Sequence, residues 1–409
     1  MVQEEFIPIS KKLSLFIGSL LFAGLYVGLF APRILAYAPT LAGLLIGSYL
    51  LINYKQTALS FCKRKLLFIV LSFGFAILGA FWAPNTEFSL ERVFKAGIII
   101  IPSLVLLSNA HKLTLPSYKT VYYSLFILFI LGATFLIFEG ITDHGISRSI
   151  VGYDVIYAHL NKSFLVFCFL SLLLMAITPI YSKNHKLASI TILVLSLITL
   201  YYSESQTAQL SFICGLLFLF LFPIKNKNFG KIFLGGLIVL FLSLPFILKP
   251  CINMTNNQLS DATMRSGMIQ KAATKARFNV WETSIIEIKK KPIFGHGIEA
   301  QRFMRSDHLK LYFKDKTRAL HAHNIILQIW LEFGLVGILF AITLLAYIFK
   351  LIYAEENLRR RKLYMVLFTT SFCCMMTGFG LWQSWQLGMI FLFIALARIM
   401  TAQQKSETL

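Results

Sequence analysis

The most constraining feature of this chain is the spacing of its charges, which leaves long apolar blocks separated by short basic tracts. Crossing ~30 Å of hydrocarbon takes about 20 helical residues, with a usable range of about 17 to 25. Twelve blocks approach that length, at roughly 13–30, 34–53, 66–83, 93–108, 121–139, 163–181, 187–203, 207–223, 232–249, 325–349, 363–381 and 385–399. The fourth is short and contains Pro102, and only Leu381 to Ser384 separate the last from its neighbour. The residues are 57% hydrophobic and 14% charged, where a soluble protein carries about 25% charged residues. A soluble enzyme, a disordered tail, a collagen and a disulfide scaffold are excluded. The expected class is an all-α integral membrane protein of about twelve transmembrane helices, with one long outer loop between helices 9 and 10. The start, MVQEEFIPISKK, precedes a span with no small-residue cleavage site, so no removed signal peptide is expected.

A formal net charge of +21, from 39 Lys and Arg against 18 Asp and Glu, would suggest nucleic acid in a soluble chain. Here the charge sits in tracts between apolar blocks, such as Lys63-Arg64-Lys65 and Arg359-Arg360-Arg361-Lys362. No nucleic-acid partner is expected, because bilayer proteins collect Lys and Arg in cytoplasmic loops. With the amino terminus inside, the inner segments hold 20 of these cations and the short outer connections only Arg33, Arg92, Lys95, Arg148 and Lys162. The other 14 lie in the long loop, and long loops translocate largely regardless of charge. Both termini are therefore expected in the cytoplasm and the long loop outside. The six cysteines show no metal or disulfide spacing. Major-facilitator carriers join two six-span halves by a long inner linker, whereas Ser182 to Lys186 is short and the bulk lies in one outer loop.

The chain accordingly divides into 1–249, with spans one to nine, a loop domain at 250–322, and 323–409 with three spans and a short tail. Counted from Lys249, the loop carries fourteen positive and six negative residues, about +8, which favours an anionic partner such as a phosphate headgroup. Within it, Arg277 to Lys290 places Phe278, Trp281, Ile285 and Ile288 on one helical stripe. The simplest geometry is an amphipathic helix lying on the bilayer, holding Arg277 at headgroup level. PIFGHG, Pro292 to Gly297, reads as a tight turn. In LHAHNIILQIW, Asn324 is a good N-cap for the run from Ile325. His323 then stands beside a helix amino terminus, whose field binds phosphate and disfavours imidazolium. A histidine near a helix end also serves as a plain polar cap.

The pairing of RFNVW and PIFGHG with HAHNIILQIWLEFGLVG resembles the O-antigen ligase/polymerase superfamily. The resemblance covers the hydropathy profile of almost the whole chain, and its specific part lies at about Arg277–Leu339. It implies a glycosyltransferase of the bacterial cell inner membrane whose active site and long loop are periplasmic. The donor would be an undecaprenyl-diphosphate-linked glycan. In the ligase branch the acceptor is lipid A–core, and in the polymerase branch another carrier-linked repeat. The family's histidine maps onto His323 and its loop arginine onto Arg277, with Arg265 and Lys271 as possible substitutes and His321 and Asn324 as neighbouring substrate contacts. Relatives commonly carry a Ser-Arg pair at the outer start of span eight; here Ser205 is followed by Gln206. Near the start of span six, YAHLNKS places His159 and Lys162 where a donor headgroup could be gripped.

Attack of a hydroxyl on an anomeric carbon bearing lipid diphosphate must dispose of a proton and of charge on the leaving group. A neutral histidine suits the first task and a guanidinium the second. No Asp-x-Asp pair occurs among Asp143, Asp154, Asp261, Asp307 and Asp315, and no carboxylate lies near His321 and His323 in sequence. The expected reaction uses no metal or other cofactor and inverts the anomeric carbon, as the resemblance also implies. Glu332, about 12 Å down its helix from Asn324 at 1.5 Å per residue, must be paired, protonated or facing a wet cavity. Trp382 to Trp385 reads as an aromatic interface anchor. Ligase is the leading function and polymerase of the same superfamily the second. A lipid-linked glycan flippase or solute carrier is a third reading, which would call for more charge buried mid-span.

Overall fold

The computed structural model of the chain describes residues 9–54, 72–151, 156–223, 225–258, 274–304 and 319–402. These form helices α1 (Lys11–Phe30), α2 (Tyr37–Asn53), α3 (Ser72–Phe81), α4 (Thr86–Asn109), α5 (Tyr118–Ile141), α6 (Gly145–Val151), α7 (Ile156–Tyr181), α8 (His185–Tyr201), α9 (Gln206–Leu221), α10 (Lys227–Gln258), α11 (Thr274–Lys290), α12 (Ile325–Ala354), α13 (Leu358–Thr377) and α14 (Ser384–Thr401). No strand occurs among the described residues. Among the described residues eight helical stretches can cross a membrane by length and composition; the third expected block, 66–83, lies partly outside the described residues. Ser72–Phe81, His185–Tyr201 and Gln206–Leu221 are apolar but shorter, and α13 opens on Arg359, Arg360, Arg361 and Lys362.

The α-helix starts are written locally. Ser10, Asn85, Ser117, Ser205, Asn324 and Asn357 each turn a side-chain oxygen onto a free first-turn N–H of the helix that follows. Such a cap is worth about 1 kcal/mol over alanine. The helix α7 is apolar all round and takes the place such a helix must take. Phe164 to Leu174 are buried on every face, and α1, α5, α8, α9, α13 and α14 pack around them. At the periphery Ile232, Val239 and Phe246 of α10 are 71%, 63% and 61% exposed, a surface suited to lipid and costly in water. Pro102 lies inside α4, and Gly43 of α2 packs directly against its carbonyl, a close approach that leaves no room for a side chain.

One feature departs from any simple bundle. The helix α12 is broken at Gly334 (φ 61°, ψ −153°), and a break strands backbone N–H and C=O groups where hydrocarbon offers no partner. The PIFGHG segment inserts into the gap. His296 N and Gly297 N donate to the carbonyls of Leu331 and Glu332, both at 2.8 Å. In return Leu335 N and Val336 N donate to the carbonyls of Pro292 and Ile293 at 2.8 and 3.2 Å. The expected tight turn is present, and it also serves as a backbone splice in a membrane helix. A Cβ on Gly334 would lie 2.4 Å from the Ile293 oxygen, and one on Gly295 2.5 Å from the Glu332 carbonyl carbon.

The stripe on α11 is also real, but it does not lie on the bilayer. Ile285 and Ile288 are buried with Ala322, Ile325 and Ile326, and Trp281 Nε1 donates to the Ala322 carbonyl at 2.9 Å. The amino end of α12 offers an apolar surface already fixed by the fold, so the stripe packs on protein rather than lipid. Ser284 Oγ further ties α11 to Gln301 Oε1 at 2.8 Å.

Candidate active site

The segment Ala319 to Asn324 enters α12 with its two histidine rings together, their centroids 4.1 Å apart. His323 takes a left-handed backbone angle, φ 52°, a conformation that costs a non-glycine residue about 1–3 kcal/mol and gathers at functional sites. Its Nδ1 lies 2.7 Å from the Gly378 carbonyl. A carbonyl oxygen only accepts, so Nδ1 carries the proton and Nε2 keeps its lone pair. Gly378 is held in turn, its N–H on the Cys374 carbonyl at 2.9 Å and Thr207 Oγ1 of α9 on the adjacent Thr377 carbonyl at 3.0 Å.

Both imidazoles are neutral at pH 7. Burial is the main cause for each, lowering His321 to about 3 and His323 to about 4. The His323 ring and the charges of Arg302 and Arg277 press His321 lower still, and Arg277 acts on His323. The sequence assigns neutrality to the helix field; the structure assigns it first to desolvation. His321 is 9% exposed, and neither of its ring nitrogens makes a hydrogen bond among the described residues; the Gly378 carbonyl acts on it from outside hydrogen-bond geometry.

Arg277 sits in the second turn of α11, half-buried, close enough for its charge to be felt at both imidazoles. Burial lowers its pKa, and among the described residues no carboxylate pairs with it. The two histidine rings thus come together within reach of the Arg277 charge, whereas neither His323 nor Arg277 lines the cavity that His321 enters. Asn324 is 5% exposed, and its Oδ1 accepts from Ile326 N and Leu327 N at 3.0 and 3.1 Å, so that oxygen acts as a cap rather than a substrate contact. Gln206 is half-buried at the first turn of α9 and takes no part in the cavity wall described next. Arg265, Lys271 and the His159 side chain lie outside the described residues.

His321 faces a cavity of about 480 Å³, within the range of small-ligand sites. Arg33, Arg92, Lys95, Lys162 and Arg302 line it against a single acid, Glu299. Four of these cations are among the five assigned by sequence to short outer connections, so those connections meet at one end of the bundle. Lys162 lies over the Trp385 ring, 5.4 Å from its centroid. Trp385 is 5% exposed, and Trp382 Nε1 donates to Glu332 Oε2 at 2.7 Å. The two tryptophans therefore wall the cavity instead of anchoring an interface, because a buried carboxylate and a cation hold them inward. Glu332 is 1% exposed and also accepts from Gln328 Nε2 at 2.8 Å, the structural pairing that its depth requires. Arg92, Glu299 and Arg302 were not singled out by sequence. The signal was the placement of Arg92 in an outer connection, while Arg302 and Glu299 had no pattern to mark them.

Residues 191–342 match a family model described as O-Antigen ligase, a stretch that includes Arg277, Arg302, His321 and His323. A candidate polysaccharide ligase of Rickettsia conorii is 27% identical over 214 residues, 51% of this chain and 50% of that protein. Its counterpart in Rickettsia felis is 26% identical over 214 residues, 51% of each. A Haemophilus influenzae protein named only as uncharacterized is 36% identical over 90 residues, 22% of each chain. The chain spans about half the length of the curated ligases it matches. Helical architecture and these matches describe a multi-pass membrane protein that is similar, over residues 191–342, to the O-antigen ligase family.

Proposed function

We propose that this chain transfers an O-antigen polysaccharide from undecaprenyl diphosphate to a sugar hydroxyl of lipid A–core, at the periplasmic face of the inner membrane. The observation that carries the reading is the tautomer of His323: Nδ1 donates to the Gly378 carbonyl, leaving a neutral Nε2 as a base near Arg277, with which no carboxylate pairs among the described residues. The acceptor hydroxyl gives its proton to His323 Nε2 as its oxygen bonds to the anomeric carbon. The bond from that carbon to the diphosphate oxygen breaks on the opposite face, so the configuration inverts. Undecaprenyl diphosphate leaves with its electron pair, and Arg277 meets the developing charge through the parallel donors of its guanidinium. Diphosphate leaves without protonation, so no general acid is required. His321 stays neutral and faces the cavity from which the acceptor would enter.

Removing one transition-state contact of this kind costs ~3 kcal/mol, about a hundredfold in rate or more. In a deletion strain complemented with His323→Ala or Arg277→Ala, electrophoresis of lipopolysaccharide should show core-only lipid A with long glycan retained on the carrier. Core capped by a single repeat would instead assign the polymerase activity, and normal ladders from both variants at wild-type expression would remove the site assignment.

A further inference from the structure

Glu299 holds a cluster of cations at the cavity wall away from Arg277. Glu299, 6% exposed and with a left-handed φ of 57°, lies between Arg92 of α4 and Arg302 of the turn Ala300–Phe303. Its Oε1 is 3.7 Å from Arg92 Nε and its Oε2 3.3 Å from Arg302 Nε. Both guanidiniums also rest on the Phe88 ring, at 4.6 and 5.1 Å from its centroid. The frame beneath is rigid: Asn85 caps α4, Ser89 Oγ donates to the Ile298 carbonyl at 2.9 Å, and Phe88 meets Phe303 edge-on.

One carboxylate cannot neutralise two guanidiniums: Glu299 accepts a hydrogen bond from Arg302 Nε and meets Arg92 only as an ion pair. The terminal nitrogens of both make no hydrogen bond among the described residues. Two preoriented forks of this kind match the oxygens of a phosphate group. They open into the cavity that His321 enters with both ring nitrogens unbonded. We infer that Arg92 and Arg302, positioned by Glu299 and Phe88, form a phosphate-binding pair separate from Arg277. The inference rests on the transferase reading, and it places a phosphate of one of the two substrates, donor diphosphate or phosphorylated acceptor sugar, beside His321.

Isothermal titration of the full-length chain in nanodiscs tests this with three probes: geranyl diphosphate, glucose 6-phosphate and glucose. A phosphate-bearing probe should bind and glucose should not. Arg92→Gln and Arg302→Gln should each raise its Kd at least tenfold, and Gly236→Ala, with open space around its Cβ, should leave it within twofold. Binding of geranyl diphosphate assigns the donor and binding of glucose 6-phosphate the acceptor. Arg302→Lys keeps the pairing with Glu299 but loses the fork, and should weaken binding at least threefold; it serves if the glutamine variants do not fold. Phosphate affinity unchanged in all three arginine variants, or no phosphate binding by the wild type, overturns the pair. Neither result bears on the His323 glycan phenotype, which tests the transferase reading by itself.

Discussion

At residue scale the chemistry turns on desolvation. His323 is set to about 4 by burial and by the charge of Arg277, well below the ordinary value of about 6.5. The base form is therefore present throughout the neutral range, and its weaker basicity is tolerable because diphosphate leaves readily. The kcat/KM profile should stay level as pH falls from 8 to about 5.5 and drop only as it nears 4. An acid limb centred near 6.5 would mean that the imidazole is solvated and the buried site is wrong. The stability sign follows from the same shift. A histidine with a depressed folded pKa binds its proton more readily when unfolded, so this contribution is whole above about 6.5 and is lost as pH drops toward 4. His321, lowered to about 3, adds to the loss in the same direction, and thermal melting in detergent should fall across that window.

At the scale of elements the splice of PIFGHG into α12 is the decisive construction. It satisfies four backbone groups on α12, two carbonyls and two N–H groups, and it leads directly into the turn that carries Glu299 and Arg302. Gly334 occupies a region of backbone space that is essentially glycine-only, and a side chain there costs about 1–3 kcal/mol in strain before any clash. Gly334→Ala also drives a Cβ against the Ile293 carbonyl. The expected outcome is a lower melting temperature together with lost transfer, whereas Gly236→Ala, with open space around its Cβ, should leave both unchanged. Equal behaviour of the two variants would show that α12 does not depend on the splice. The docking of α11 belongs to the same scale. Its apolar stripe is written in sequence, but a stripe names no partner, and the fold supplied Ala322 and Ile325 in place of lipid.

For the whole molecule, Arg33, Arg92, Lys95 and Lys162 come from three separate connections and meet in one cavity with Arg302. An odd-numbered loop set converging at one end is what alternating spans require, and the orientation proposed from the distribution of Lys and Arg would put that end outside. In a background without native cysteines, Ser384→Cys should react with an impermeant maleimide in spheroplasts, and Ser182→Cys only after lysis. The reverse pattern would invert the orientation and move the site to the cytoplasm.

Composition and the run of apolar blocks determined that this chain is helical and membrane-embedded, and single residues such as Asn324 determined where helices begin. Local text was enough for both, since hydropathy and capping act within a few residues. The HAHN step likewise marked His321 and His323 before any coordinates. What only tertiary structure decided was partnership. The Gly378 carbonyl that sets the His323 tautomer is 55 residues away, and Ser89 meets Ile298 across 209. Glu299 between Arg92 and Arg302, and PIFGHG inside a broken helix, likewise depend on distant segments. Such contacts carry no local periodicity; they exist because buried polar groups must find partners wherever the packed chain brings one within reach.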